Sequence, residues 1–427
     1  YLLCGIVCVV VLLITIIVSN TFAKYRVSDS IPIINSEINY KVPDLNMVSL
    51  YVANEEGDYV EANTIPSSGY ILNTEQSYCG QSYNGEIVKD DSVILTYENG
   101  SMTFSNVTAK GTKCYLYFDI EEETSGESIL ANYPTVLTRG DFNTTITEKT
   151  TGTIYYADTS KGRTYYFAGN PTDNWVKFAG FYWRIIRINE DGSIRLIYNG
   201  TRTSTTGSST QIGTSGFNNL YNNNMYVGYM YQSNQVHGLT TDSTIKIELD
   251  QWYEENLQSH ADKISRDAGF CGDRQPSTST ASSNGSGGTG TTTTYYGAYI
   301  RLITDEEPTF ECQNDSDLYT VASSSQGNKA LDYPIGLITA DEVAYAGGVY
   351  NTNNMSYYLY NDQSYWTLSP FRFLTTESFV TMFAMYTDGL LYWDYVTFTY
   401  GVRPVINLSA YVTISGSGTT SDPYLIS

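Results

Sequence analysis

Tyr365-Trp-Thr-Leu-Ser-Pro370 and Tyr400-Gly-Val-Arg-Pro-Val-Ile-Asn-Leu408 bracket the stretch whose reading decides the fold of the long C-terminal part. Both ends are conventional in composition. Between them lie Phe371-Arg-Phe-Leu-Thr-Thr-Glu-Ser-Phe379, Leu391-Tyr-Trp-Asp-Tyr395 and Thr397-Phe398, divided by an Asp388-Gly389 hairpin turn. Val380, Phe383, Leu390 and Val396 suit inward positions. Large rings such as Tyr392, Trp393 and Phe398 are then left with no obvious core to fill. The middle looks shuffled against ordinary ends.

Upstream, Phe181-Tyr-Trp-Arg-Ile-Ile-Arg-Ile188, the turn Asn189-Glu-Asp-Gly192 and Ser193-Ile-Arg-Leu-Ile-Tyr198 read as a hairpin, with Asp191-Gly192 expected to supply positive φ angles. The spacing of Tyr253, Leu257, Ala261 and Ile264 predicts a helix from Asp250 to Ile264. Thr339-Ala-Asp-Glu342 predicts a capping box opening a second helix, closed by Gly347-Gly348. Between them, Ser277 to Thr294 is a Ser/Thr/Gly low-complexity stretch with nothing to bury. Two helices among many strands and long loops indicate an α+β domain spanning residues 129–427.

The acidic run Glu121-Glu-Glu-Thr-Ser-Gly-Glu127 reads as a linker, residues 121–128. Before it, residues 28–120 read as an all-β, immunoglobulin-like sandwich. Val48, Leu50 and Val52 alternate with polar residues, as do Met102 and Phe104, and Cys114-Tyr-Leu-Tyr-Phe118 closes the block. Gly57-Asp58, Ser68-Gly69 and Asn99-Gly100 punctuate it as turns. Its expected role is a spacer.

Leu2 to Val18 is a nearly unbroken apolar run, followed by Lys24 and Arg26. Residues 1–23 therefore read as an export segment. Thr21-Phe22-Ala23 suits signal-peptidase cleavage, while the length suits a retained membrane anchor. Beyond Cys4 and Cys8 in this segment, the cysteines fall as Cys79 with Cys114 and Cys271 with Cys312, an even count that reads as two local disulfides. No close-set C-x-x-C pair suggests zinc. The net charge of −22 sets 45 acidic against 23 basic residues. Such a surface repels phosphates, so nucleic acid is excluded as a partner. Forty Tyr with abundant Thr, Asn, Ser and Gly give a β-prone, uncharged polar surface suited to ligand contact.

Trp366-x-Leu-Ser-Pro370, the Asp-Gly hairpin and Gly401-Val-Arg-Pro404 together resemble the closing segment of C-type-lectin-fold surface proteins of gut Firmicutes. That group is related to the formylglycine-generating-enzyme-like fold and to variable proteins diversified by retroelements. The Phe181–Tyr198 hairpin, Gly269-Phe-Cys-Gly-Asp-Arg274 and Ile335-Gly-Leu-Ile-Thr-Ala-Asp-Glu342 fit the same group, and the resemblance runs from about Gly152 to the C-terminus. It implies a C-type-lectin-like domain whose conventional ends form scaffold, Trp366 and Arg403 among it, with Arg403 buried against a carbonyl or carboxylate. It implies that the residues between are displayed to ligand: Phe371, Arg372, Thr376, Glu377, Phe379, Leu391, Tyr392, Trp393, Asp394, Tyr395, Thr397 and Phe398. The competing reading is that these aromatics pack between loops.

Enzymatic readings find less. The formylglycine-generating enzymes use cysteine late in the domain, and no Cys follows Cys312. His237 and His260 lie in no ligand or nucleophile motif, and no H-E-x-x-H, G-x-S-x-G or phosphate-binding loop occurs. Asp305-Glu-Glu307 and Asn314-Asp-Ser-Asp317 lack calcium-loop spacing and read as solvated surface. Glycoside hydrolysis needs only two carboxylates, which this chain can supply. No metal, cofactor or catalytic residue is expected. The expectation is a non-enzymatic cell-surface protein, adhesin-like, binding an extracellular protein or glycan and held at the membrane by its N-terminal segment. A filament subunit and a carbohydrate-active enzyme are the alternatives.

Overall fold

The computed structural model describes residues 31–33, 45–54, 56–67, 69–98, 100–107, 110–277 and 287–427. The expected export segment lies outside them, as does much of the low-complexity stretch. None of the described helices is long and apolar enough to cross a membrane. Strands dominate, and the chain divides into two units, Tyr1–Glu122 and Glu123–Ser427.

In the first unit, a six-stranded sheet is organised around Thr112–Ile120. This strand pairs in parallel with Leu45–Ala53 and antiparallel with Tyr70–Leu72 and Tyr78–Tyr83. Its burial alternates strictly: Thr112, Cys114, Leu116 and Phe118 point inward, and Lys113, Tyr115 and Tyr117 are half-buried. That is the period of two expected of a sheet with one covered face. The inward residues share a core with Met102 and Phe104 of a second, three-stranded sheet. Cys79 and Cys114 are directly paired neighbours joined by a disulfide, so the bond staples two strands of one sheet.

The division between the units falls within the expected linker, whose second half is helical. Thr124 caps a helix over Ser125–Leu130, and Glu127 completes a capping box. Ser125 donates from its hydroxyl to the carbonyls of Ala410 and Val412. The last residues of the acidic run form a helix cap, in which Thr124 and Glu127 satisfy orphan N–H groups at the helix start.

The expected hairpin forms from Phe181–Ile188 and Ile194–Tyr198 at the centre of a nine-stranded sheet. Of its turn residues, Gly192 alone has positive φ, at +78°, and a Cβ there would collide with Thr124. Asp191 instead caps the turn through its carboxylate, which accepts from the Ser193 amide at 3.0 Å. The helix expected over 250–264 begins earlier. Ser243 caps Thr244–Asn256, and a kinked 3-10 turn follows over Gln258–Lys263. Its buried stripe is Ile245, Leu249 and Tyr253, with Lys246 buried beside it. A buried lysine in the first turn hid the start of the apolar pattern. The second helix, Ala340–Tyr345, carries the Thr339/Glu342 capping box as read.

The closing segment builds a six-stranded sheet in the order Gly213–Ser215, Tyr400–Val402, Tyr365–Leu374, Phe379–Met385, Leu391–Tyr395, with Thr294–Tyr295 also pairing Tyr365–Leu374. Immediately after Tyr400–Val402, the strand Val405–Leu408 pairs with Ile194–Tyr198 of the other sheet. Gly401-Val-Arg-Pro404 is thus the crossing between sheets. A Cβ on Gly401 would meet the end of the Gln211 side chain, which would have to move aside. Arg403, 1% exposed, donates to the carbonyls of Tyr198 and Leu359 and to Asn199 Oδ1. Trp366 is fully buried and donates to the Ser215 carbonyl at 2.9 Å.

Candidate functional site

The last three strands carry a continuous chain of aromatic rings. Phe379 stacks on Tyr221 at 4.2 Å between centroids and meets Tyr395 edge-on at 4.7 Å. Tyr395 contacts both Phe398 and Trp393. Trp393 stacks on Tyr392 and on Phe371, each at 5.4 Å, and Tyr350 stacks on Tyr392. The Arg372 guanidinium lies 5.0 Å from the Trp393 ring centroid. Rings in this arrangement favour offset and edge contacts, and the guanidinium is drawn to the electron-rich ring face.

The expected display residues divide into three groups. Thr376, Glu377 and Phe398 are exposed, and Arg372, Phe379, Tyr392, Trp393, Tyr395 and Thr397 are half-buried. Phe371, Leu391 and Asp394 are buried, contrary to their expected exposure. Phe371 is wedged among Phe383, Trp393, Tyr299 and Tyr350. Leu391 pairs with Met385 beside the hairpin and points to the core, the place expected for Leu390. Asp394 is clamped: its carboxylate accepts from the hydroxyls of Tyr386 and Tyr400 and from the Tyr395 amide. Burial, and then the hydrogen bond to Asp394, raises the Tyr400 hydroxyl to about 12, and burial, then the hydrogen bonds with Tyr400 and Asp394, raise Tyr386 further. Both hydroxyls therefore remain donors at neutral pH. Asp394 fastens the edge of the face from below and is not part of its contact surface.

Tyr221 escaped the sequence reading. At 41% exposure it is, with Phe398 at 47%, one of the two exposed rings in this aromatic row. It arrives from a distant loop, held by a hydrogen bond from the Val380 amide to its carbonyl. No local spacing announces such a contact.

A cavity of about 540 Å³, also unread in the sequence, opens beside the Phe181–Tyr198 hairpin and the Cys271–Cys312 disulfide. Glu342, 3% exposed, receives both Arg187 at 3.1 Å and Arg195 at 2.5 Å. Arg301 is held between Asp273 at 2.6 Å and Asp341 at 2.8 Å. Burial first, with Arg301 opposing it and Asp341 adding to it, raises the Asp273 carboxyl to about 6. One Arg301 nitrogen, Nη2, donates to both carboxylates. It occupies the space between them where a glycosidic bond would have to sit, unlike the open pair of a glycosidase.

Asp317, in a stretch expected to be solvated surface, is internal. Asp317 is 1% exposed and takes Arg274 at 2.5 Å, with His237 at 3.5 Å. Asp242, Asp250 and Asp332 converge as a metal site would, yet the Lys246 ammonium sits among them at 3.3, 2.5 and 3.8 Å. The lysine supplies the cation itself.

Comparison with protein-family models, curated proteins and solved structures finds no match to this chain.

Proposed function

We propose that this chain is a non-enzymatic, extracytoplasmic binding protein in which an immunoglobulin-like module precedes a C-type-lectin-like domain. The aromatic face around Tyr221, Phe379, Tyr392, Trp393, Tyr395 and Phe398 takes the protein or glycan ligand. The observation carrying this reading is that the rings form one half-exposed chain over a fully buried frame of Trp366, Phe383 and Arg403. Partly exposed Tyr, Trp and Arg on a rigid support is the composition of binding hot spots, because such side chains offer large contact area with little freedom to lose. Two disulfides support an oxidising, extracytoplasmic setting. Attachment by the N-terminal segment and diversification of the face belong to the same proposal.

The test is a screen of the labelled full chain against arrays of glycans and of extracellular proteins, run beside the Tyr221→Ala/Phe398→Ala double variant. The proposal expects saturable binding to members of one array, lost in the variant. Absence of any saturable binder, or binding indifferent to the variant, would overturn it.

A further inference from the structure

The cavity at the hairpin base holds an imbalance of charge. Asp273 and Asp341 are 5% and 2% exposed and share a single guanidinium, that of Arg301, so this buried trio carries an excess of negative charge. Arg187 and Arg195 are already matched by Glu342, with Glu190 near Arg187. Asp191, Asp267, Glu311 and Asp315 stand exposed at the rim, and among the described residues none of the four pairs with a cation. Lys161 is the one cationic side chain of the wall outside these pairs, and its ammonium contacts Gln326. In the wall, Asn189 is 7% exposed and its side-chain oxygen accepts no hydrogen bond. A concavity walled by carboxylates focuses a negative potential, and burial strengthens it by excluding water.

We infer that this cavity binds a small organic cation, an amine-bearing molecule of one or two rings. The volume falls in the range of small-molecule sites. An ammonium donates three hydrogen bonds and would offset the excess charge that Arg301 leaves uncompensated. A phosphate, carboxylate or acidic sugar would meet unpaired carboxylates at the rim and is rejected. Each arginine of the wall already faces a carboxylate, so an anion would compete with Glu342, Asp273 or Asp341 for it, even at Arg301 Nη1, which has no hydrogen-bond partner. This site is independent of the aromatic face.

Calorimetric titration of the full chain with matched probes decides it. Tryptamine, tryptophol and indole-3-acetate share one ring system and differ in charge; glucosamine and glucose form a second pair. A cationic probe should bind at least about tenfold more tightly than its neutral counterpart, weaken as salt rises, and leave the anion without measurable affinity. Glu311→Gln/Asp315→Asn alters only exposed rim residues and should weaken the cation about fivefold with an unchanged melting temperature. Gln326→Trp, which narrows the mouth, should abolish binding, while Tyr221→Ala/Phe398→Ala should leave it intact. Equal binding of neutral or anionic probes, no binding of either amine, or binding insensitive to both cavity variants would overturn the assignment.

Discussion

Lys246 shows how far a single side chain can govern local stability. Its ammonium is buried at 0% exposure among three carboxylates. Burial alone would lower its pKa, but Asp250 and Asp242 outweigh that and hold it above the usual lysine value. Lys246→Met removes the one cation and leaves the carboxylates facing each other. With Asp250 the most buried of the three carboxylates, it should cost about 1–3 kcal/mol in urea unfolding, the range for leaving one buried polar group without its partner; no measurable loss would show that solvent replaces the lysine. Burial raises the Asp250 carboxyl from 3.8 to about 6 despite the lysine. The folded state therefore holds this proton more tightly than the unfolded chain does. The stabilisation is complete below about pH 4 and is lost as pH rises through about 6. Asp250→Asn lacks that dependence, so its stability relative to the parent should improve by up to roughly 3 kcal/mol across this window. A difference flat with pH would contradict the assignment.

At the scale of elements, the Ala340–Tyr345 helix separates two jobs of one residue. Glu342 closes the capping box through Oε2, which accepts from the Thr339 amide, and its Oε1 takes Arg187 and Arg195. Thr339→Ala should cost about 1 kcal/mol, an ordinary cap loss. Glu342→Gln keeps an oxygen for the cap and removes the charge facing the buried Arg195 and the partly buried Arg187, so it should cost about 3 kcal/mol or more. Thermal unfolding of the two variants side by side tests the ordering, and the reverse order would mean that the cap dominates. This helix, the Phe181–Tyr198 hairpin and both cysteine pairs were legible because their signals are local: a box four residues long, an Asp-Gly turn, an even count of cysteines. The 244–256 helix was misplaced because Lys246 breaks its apolar stripe. Tyr221, the clamp on Asp394 and the cavity were illegible for a different reason. Each joins residues far apart in sequence, and nothing in the spacing of Asp273, Arg301 and Asp341 foretells that they meet.

The whole molecule is a strongly acidic chain whose C-terminal unit carries a row of half-exposed aromatic rings on one sheet and fixes that sheet by buried Arg403, Trp366 and Asp394. Of the four residues expected to face inward, Val380, Phe383 and Val396 do so while Leu390 yields its place to Leu391, and the pattern could not separate half-exposed Trp393 from buried Phe371, since both belong to one stack. Scaffold and contact surface can nonetheless be told apart by experiment, because substitutions in the first lower stability and substitutions in the second lower affinity. The most direct measurement is affinity for an array-identified ligand taken together with melting temperature, for the parent and Tyr221→Ala/Phe398→Ala. The account predicts at least about a tenfold loss of affinity, about 1.4 kcal/mol, at a melting temperature close to the parent's. Undiminished affinity, or a loss that only follows a large fall in melting temperature, would contradict the claim that this face is the binding surface.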